Sequence, residues 1–154
     1  MLEAFESSIC IDTDIAVKTM DTEPEAPIAI PYLPPKEEFM PEYTLVLDLD
    51  ETLIHWTGSQ QLLIRPKCEE FLAAVSKHYE VVVFTAALKE YADNILDQID
   101  PEHKLIQHRL YRSHTTYEND IYIKDLENLG RSLKKTFIVD NSPENFKLQK
   151  ANGI

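Results

Sequence analysis

The strongest constraint on the fold is a short apolar run that ends in two aspartates. Residues 43–47 read Tyr-Thr-Leu-Val-Leu, and Asp48 and Asp50 follow within the sequence DLDETL. Such a run is typical of a buried strand, and burying two unpaired carboxylates at its end carries a heavy free-energy penalty. We therefore expect a compensating positive charge beside them. A divalent cation would provide that charge and would prepare the site for phosphate chemistry.

From Tyr43 onward, apolar runs alternate with segments of helical periodicity. The apolar runs predict strands at Tyr43–Asp48, Val81–Thr85, Leu105–Tyr111, Ile121–Ile123 and Thr136–Asp140. The helical periodicity predicts helices at Pro66–Tyr79, Ala87–Ile99 and Asp125–Leu133. Strands separated by helices are typical of an α/β fold with a mostly parallel central sheet and helices on both faces.

Polar side chains follow the predicted strands. Asp48 and Asp50 follow the first strand, Thr85 ends the second, and Asp140-Asn141 lie at the end of the last. Lys124 follows the short strand Ile121–Ile123. Because ligands bind at the carboxyl ends of parallel strands, we expect these side chains to meet at one edge of the sheet.

The chemistry of these side chains is complementary. A carboxylate such as Asp48 can attack phosphorus and form an acyl phosphate, and a second carboxylate such as Asp50 can act as general acid and base. Magnesium prefers oxygen ligands, which Asp48, the Asp50 carbonyl and Asn141 offer. Thr85 can donate to a phosphate oxygen, and Lys124 can balance phosphoryl charge.

Four motifs in this order and spacing carry a family resemblance: DLDETL, VVVFTAALKEYA, YIKDLENLGR and FIVDNSPENF. From about Lys36 to its last residue, the chain resembles the haloacid-dehalogenase superfamily. More narrowly, it resembles the FCP/SCP-type protein serine/threonine phosphatases, which include the small phosphatases of the RNA polymerase II C-terminal domain. The resemblance implies a Rossmann-like fold without a large cap domain. It also implies a magnesium-dependent phosphatase that acts on a phosphoprotein through an aspartyl-phosphate intermediate.

The resemblance also implies roles for individual residues. Four residues are implied to be catalytic. Asp48 would be the nucleophile and Asp50 the general acid and base, and Thr85 and Lys124 would bind the phosphate group. Magnesium is implied at Asp48, Asp50 and Asn141, with support from Asp140. A role in substrate binding is implied for Arg112, Leu88, Tyr91 and Thr52. From the residues alone, Arg112 also fits an ordinary surface arginine, and Leu88 and Tyr91 also fit core-facing helix positions.

The sequence departs from these relatives in two places. Relatives carry a longer segment, including a β-hairpin, where this chain has the short connection 55–64. We therefore expect a reduced hydrophobic pocket for substrate proline and less preference for a polymerase-tail peptide. Relatives also continue beyond residues 151–154 with an apolar segment and a helix. We expect that the phosphatase domain, residues 43–154, is truncated at its C-terminus and exposes apolar surface.

Residues 1–42 differ in composition from the rest. They hold ten acidic and two basic residues and six of the nine prolines, in a chain whose net charge is −12. This composition predicts a flexible leader, with a docking or regulatory arm as the alternative. The acidic balance disfavours direct nucleic-acid binding, because phosphate contacts need clustered Lys and Arg.

The cysteines and the lengths of the apolar runs indicate the cellular compartment that we expect. Cys10 and Cys68 give neither a disulfide framework nor metal-binding spacing, which indicates a reducing compartment, nucleus or cytoplasm. No apolar run is long enough to form a membrane segment. We expect a monomer.

Two other functions remain open. Mitochondrial import relatives use this fold for peptide binding, usually with degraded motifs and a membrane anchor. The intact motifs here favour an enzyme, whereas the short connection 55–64 and the short C-terminus keep a catalytically weak scaffold possible. A small-molecule phosphatase is the third candidate. The superfamily often closes such sites with a cap domain, for which no segment here is long enough.

Overall fold

The structure is a computed structural model that describes residues 28–57 and 61–154. Its strands in chain order are β1 Tyr43–Leu47, β2 Ile54–Trp56, β3 Leu62–Ile64, β4 Tyr79–Phe84, β5 His108–Leu110, β6 Thr116–Glu118, β7 Ile121–Ile123 and β8 Thr136–Val139. Its α-helices are α1 Cys68–Val75 and α2 Lys89–Ile99. Short 3-10 stretches lie at Arg112–His114, Leu126–Leu129, Leu133–Lys135 and Pro143–Asn152.

Four parallel strands form the central sheet in the order β5-β4-β1-β8. Tyr43 of β1 pairs with Tyr79 of β4, and Thr44 pairs with Thr136 of β8. The chain moves from β1 outward through β4 to β5 and then returns to the opposite side of β1. This reversal creates a switch point at the carboxyl ends of the strands, where ligands bind in open α/β sheets. The predicted fold class is confirmed.

Both α-helices pack on the same face of the sheet. Alternate residues of the central strands, such as Leu45 and Val81, join Leu72 of α1 and Ile95 of α2 in one core cluster. The opposite face carries Val46, Val82 and Ile138, and 3-10 segments and Leu33 cover it. The predicted helical cover of this second face is therefore made of short 3-10 segments instead of α-helices.

The helix predicted at Asp125–Leu133 is realised as the 3-10 turn Leu126–Leu129. The Asp125 carboxylate accepts the Glu127 N–H at 3.1 Å and caps the turn. Gly130 then takes a left-handed φ of 72° and ends the turn. A Cβ atom at Gly130 would lie 2.5 Å from the Cβ of Pro31, so the close approach of these two segments also requires glycine.

Ile121–Ile123 forms a strand as predicted, but this strand lies outside the central sheet. It pairs antiparallel with Thr116–Glu118 in a separate two-stranded ribbon. The connection 55–64 also forms a hairpin despite its short length, because Ile54–Trp56 pairs antiparallel with Leu62–Ile64. Residues 58–60 of this connection lie outside the described residues.

Both α-helices begin later than their patterns predict. Lys67 has a left-handed φ of 64° and precedes α1, which excludes Pro66 from the helix. Leu88 is extended and precedes α2, which excludes Ala87. Within the described ranges, neither α-helix has the length and apolar content that a membrane crossing requires.

Part of the predicted leader contacts the second face of the sheet. Leu33 is 3% exposed, the Tyr32 N–H donates to the Asn128 carbonyl at 2.8 Å, and Arg131 Nη1 donates to the Pro34 carbonyl at 2.9 Å. The boundary at residue 42 stays a prediction, and the flexibility predicted for residues 1–27 lies outside the described residues.

Candidate active site

A tight turn follows β1 and separates the two aspartates from β2. The Leu49 carbonyl accepts the N–H groups of residues 52–54 at distances between 2.9 and 3.3 Å. Glu51 takes a left-handed φ of 62° within this turn, a conformation that is uncommon for residues other than glycine. The turn keeps Asp48, Asp50 and Thr52 close to the carboxyl end of β1.

Lys124 lies between two buried carboxylates. Its Nζ atom is 2.6 Å from Asp48 Oδ1 and 2.6 Å from Asp140 Oδ2, and its side chain is fully buried. The Asn145 carbonyl accepts the Lys124 N–H at 2.6 Å, and the Asn145 side-chain nitrogen lies 3.2 Å from Asp140 Oδ1. One ammonium therefore joins the end of β1 to the segment that follows β8.

Asp50 contacts the loop that follows β4 and the first turn of α2. The Tyr91 hydroxyl donates to Asp50 Oδ1 at 2.9 Å, and Thr85 Oγ1 lies 3.5 Å from Asp50 Oδ2. Thr85 Oγ1 also accepts the Ala87 N–H at 3.0 Å, and its own proton is directed to Asp50 Oδ2. Thr52 Oγ1 lies 3.2 Å from Asp48 Oδ2.

The electrostatic balance at this end of the sheet is negative. Burial raises the pKa of Asp48, although Lys124 opposes the rise. Burial also raises the pKa of Asp50, against a hydrogen bond from Tyr91. Among the described residues, Lys124 is the one cationic side chain in ion-pair contact with Asp48 or Asp140. The cluster therefore favours both a proton on one carboxylate and the approach of a cation.

The remaining predicted site residues lie around this cluster. Arg112 Nε donates to the Ala86 carbonyl at 2.7 Å, which ties the arginine to the loop after Thr85. Its guanidinium lies 4.8 Å from the centre of the Tyr122 ring. Leu88 lies in the same loop and is 43% exposed, so it does not occupy a core position.

Asn141 lies at the edge of the cluster. It is exposed, and it lines a cavity of about 380 Å³ together with Thr52 and Asp140. Apolar side chains form much of the remaining wall, including Leu53, Phe71 and Val139. The cavity therefore borders the carboxylate cluster on the β8 side.

The residues at this edge fit a magnesium ion by their chemistry. Within residues 28–57 and 61–154, no group of three or more His, Cys, Asp and Glu side chains has the arrangement of a metal site. Magnesium does not require such a group, because it binds through one or two carboxylates and keeps several waters. The Asp48 carboxylate, the Asp50 carbonyl and the Asn141 side-chain oxygen could hold it next to the negative cluster.

Two further residues, Asn145 and Trp56, contact this cluster or its hydrogen-bond partners, and no sequence motif predicted a role for them. Asn145 holds both Lys124 and Asp140, although its place in VDNSPEN indicates only a turn. Trp56 Nε1 donates to the Tyr91 hydroxyl at 2.7 Å, and 35 residues separate the two side chains in the chain. The available signal was that Trp56 is the chain's single tryptophan and follows DLDETL closely.

The parallel sheet with carboxylates at its switch point defines an α/β protein of the haloacid-dehalogenase type. Within that class, the chain belongs to the NLI interacting factor-like phosphatase family, whose family model matches residues 43–154. The predicted family membership is confirmed.

The chain is similar both to a protein named as a phosphatase and to a protein named as a subunit of a mitochondrial translocase. It is 43% identical over 141 residues to CTD small phosphatase-like protein 2 of Dictyostelium discoideum, covering 79% of this chain and 25% of that protein. It is 35% identical over 143 residues to mitochondrial import inner membrane translocase subunit TIM50 of Candida glabrata, covering 90% of this chain and 29% of that protein. The chain thus spans less than a third of these relatives' length.

The fold is also similar to a solved structure. Fission yeast RNA polymerase II CTD phosphatase Fcp1, bound to beryllium fluoride, superposes with a TM-score of 0.63 at 21% sequence identity. The match covers 73% of this chain and 40% of the Fcp1 chain. At this identity the likeness supports the fold.

Proposed function

We propose that this chain is a magnesium-dependent protein serine/threonine phosphatase that works through a phosphorylated Asp48. The observation that carries the proposal is the position of Asp48 at the switch point, with Lys124 at 2.6 Å and Asp50 two residues away. Family membership supports the same activity. The polymerase C-terminal domain or another phosphoprotein is the proposed substrate, and the protein acts as a monomer in the nucleus or cytoplasm.

In the first step, an Asp48 oxygen attacks phosphorus while the bond from phosphorus to the serine or threonine oxygen breaks. Asp50 gives its proton to that leaving oxygen, a role that its burial favours because burial raises its pKa. The fully buried Lys124 ammonium and the Thr85 hydroxyl offset charge on the transferred group.

In the second step, Asp50 takes a proton from water as the water oxygen attacks the phosphorus of phospho-Asp48. The bond between phosphorus and the Asp48 oxygen breaks, and inorganic phosphate leaves. Magnesium, held by Asp48, the Asp50 carbonyl and Asn141, would neutralise phosphoryl oxygens. Asp140 acts by holding Lys124, and Arg112, Leu88, Tyr91 and Thr52 line the approach of the substrate.

The test is hydrolysis of p-nitrophenyl phosphate with magnesium and with a chelator. We expect magnesium-dependent turnover in the wild-type chain and a loss of about 1,000-fold or more in Asp48→Asn, because the amide is not a nucleophile. Glu144→Gln, at an exposed position beyond the cluster, is the matched control. Turnover that survives chelation or the Asp48 substitution would contradict the mechanism.

A peptide-binding scaffold is the second candidate, and the similarity to TIM50 is the observation that favours it. Beryllium fluoride separates the two because it mimics a phosphoryl group on aspartate. For the phosphatase we expect it to raise the melting temperature only with magnesium present, by an amount that grows with ligand concentration. No shift in the wild-type chain, together with no turnover, would favour the scaffold.

A further inference from the structure

Trp56 begins a chain of hydrogen bonds that ends at Asp50. Its Nε1 atom lies 2.7 Å from the Tyr91 hydroxyl, and that hydroxyl lies 2.9 Å from Asp50 Oδ1. The two aromatic rings also stack, with centroids 6.4 Å apart and planes inclined by 20°. The contact therefore fixes both the hydroxyl and the ring of Tyr91.

The chemistry of the three groups fixes the direction of these bonds. An indole nitrogen can only donate, whereas a phenol has one proton to donate and lone pairs to accept with. Tyr91 must accept from Trp56, so its single proton is directed to Asp50 Oδ1. If Asp50 is protonated, the transferable proton must then lie on Oδ2, the oxygen that faces Thr85 at 3.5 Å.

The hairpin β2-β3 holds Trp56 in place. Trp56 pairs with Leu62 across the two strands, its own N–H donates to Glu51 Oε1 at 3.3 Å, and the Thr57 N–H donates to the Gln61 carbonyl at 2.9 Å. The short connection 55–64, for which we expected a reduced substrate pocket, thus supplies the Trp56 side chain. Trp56 contacts Tyr91, which is the hydrogen-bond partner of Asp50.

We propose that Trp56 is a positioning residue that directs the Tyr91 proton to Asp50 Oδ1 and so reserves Asp50 Oδ2 for proton transfer. This assignment rests on the proposed function. When the phosphorus–oxygen bond to Asp48 forms and the bond to the leaving oxygen breaks, the Oδ2 proton passes to the leaving oxygen. Oδ2 then receives a proton from the water that attacks phospho-Asp48.

The assignment predicts an effect that depends on the leaving group. Trp56→Phe keeps a stacking ring and removes the donor, while Tyr91→Phe removes the hydroxyl. A leaving group such as p-nitrophenolate needs little protonation, whereas phenolate needs it more. We expect Trp56→Phe to lower kcat/KM for phenyl phosphate by about tenfold and for p-nitrophenyl phosphate by less than about twofold.

Two comparisons separate positioning from a simple loss of structure. Trp56→Phe should cause no further loss in the Tyr91→Phe background, because the hydrogen-bond chain is already broken there. Tyr43→Phe, at the amino end of β1 and 41% exposed, should behave as wild type with both substrates. Equal losses with both substrates, no loss with either, or additive losses in the double variant would overturn the assignment.

A spectroscopic readout tests the contact without turnover. Because the chain has one tryptophan, a single indole N–H signal is expected in a proton–nitrogen NMR correlation spectrum. Tyr91→Phe should move that signal upfield, and Tyr43→Phe should not. An unmoved signal would overturn the assignment while the wild-type chain remained an active phosphatase. A moved signal with no magnesium-dependent turnover would instead overturn the proposed function and, with it, the assigned proton transfer.

Discussion

Glu80, at the amino end of the central sheet, and Asp48, at the carboxyl end, are both buried, with exposures of 0% and 5%. The pKa values of the two carboxyls nevertheless move in opposite directions. Burial alone would raise the pKa of Glu80, but hydrogen bonds from Arg131, His108 and Thr44 outweigh it and lower that pKa strongly. For Asp48, burial prevails over Lys124 and the pKa is raised.

The difference lies in how much positive charge each end provides. The Arg131 guanidinium donates hydrogen bonds to both carboxylate oxygens of Glu80, at 2.8 and 2.7 Å. Lys36 Nζ lies 3.3 Å from Glu80 Oε2. At the carboxyl end, one ammonium serves Asp48 and Asp140 together. The amino end is a completed ion cluster that stabilises the fold. The carboxyl end keeps excess negative charge, which the proposed magnesium ion would balance during turnover.

The largest effect is expected from Lys124→Met, because this change removes the ammonium group that Asp48 and Asp140 share. We expect kcat/KM to fall by about 100-fold or more, since phosphoryl charge loses its buried partner. We also expect about 3 kcal/mol less stability, because two buried carboxylates lose their ion pair. Phosphatase assays and urea unfolding measure the two effects. Lys134→Met, on an exposed turn, is the control, and an active Lys124→Met variant would remove the contrast between the two ends.

Glu80→Gln should affect stability and leave chemistry intact. The substitution leaves Arg131, whose side chain is 5% exposed, without its carboxylate, so we expect a loss of about 3 kcal/mol at neutral pH. The folded variant should keep kcat/KM within about twofold of wild type, because Glu80 lies at the opposite end of the strands. A large fall in kcat/KM for the folded variant would show that the two ends are coupled.

The same carboxyl group gives this prediction a pH dependence. The folded-state pKa of Glu80 is lowered, so the unfolded state binds more protons and stability rises with pH. The contribution is complete above the unfolded-state pKa and is lost as pH falls toward the folded-state value. The stability difference between wild type and Glu80→Gln should therefore shrink on acidification below about pH 4.5. Urea unfolding of both proteins across this pH range measures the trend.

The sequence was most informative where local pattern and chemistry coincide. The strands before Asp48, Thr85 and Asp140 could be predicted because each is a continuous apolar run, and parallel order placed their ends together. The partner of each strand was harder to predict from the sequence than the strand itself. Ile121–Ile123 has the pattern of a strand, but its pattern does not say that its partner is Thr116–Glu118 instead of the central sheet.

Contacts between distant segments could not be predicted from spacing. Glu80 and Arg131 are 51 residues apart, and neither lies in a pattern that indicates the other. Lys124 was predicted to face phosphate, but its pairing with Asp140 depends on how the segment after β8 folds back. Trp56 and Tyr91 meet because the hairpin packs beside α2. Such contacts are set by tertiary packing, which hydrophobic periodicity does not encode.

The smallest effect is expected from Lys36→Met, which tests whether the amino end holds more positive charge than it needs. Lys36 is a cationic partner of Glu80 in addition to Arg131, and its side chain is 22% exposed. Since Arg131 already satisfies both carboxylate oxygens, we expect urea unfolding to show a loss of only about 0.5 kcal/mol. The loss should vanish in the Glu80→Gln background, because the shared carboxylate is gone. A loss as large as that of Glu80→Gln would mean that Arg131 alone does not compensate this carboxylate, and that both ends of the sheet depend on a second positive charge.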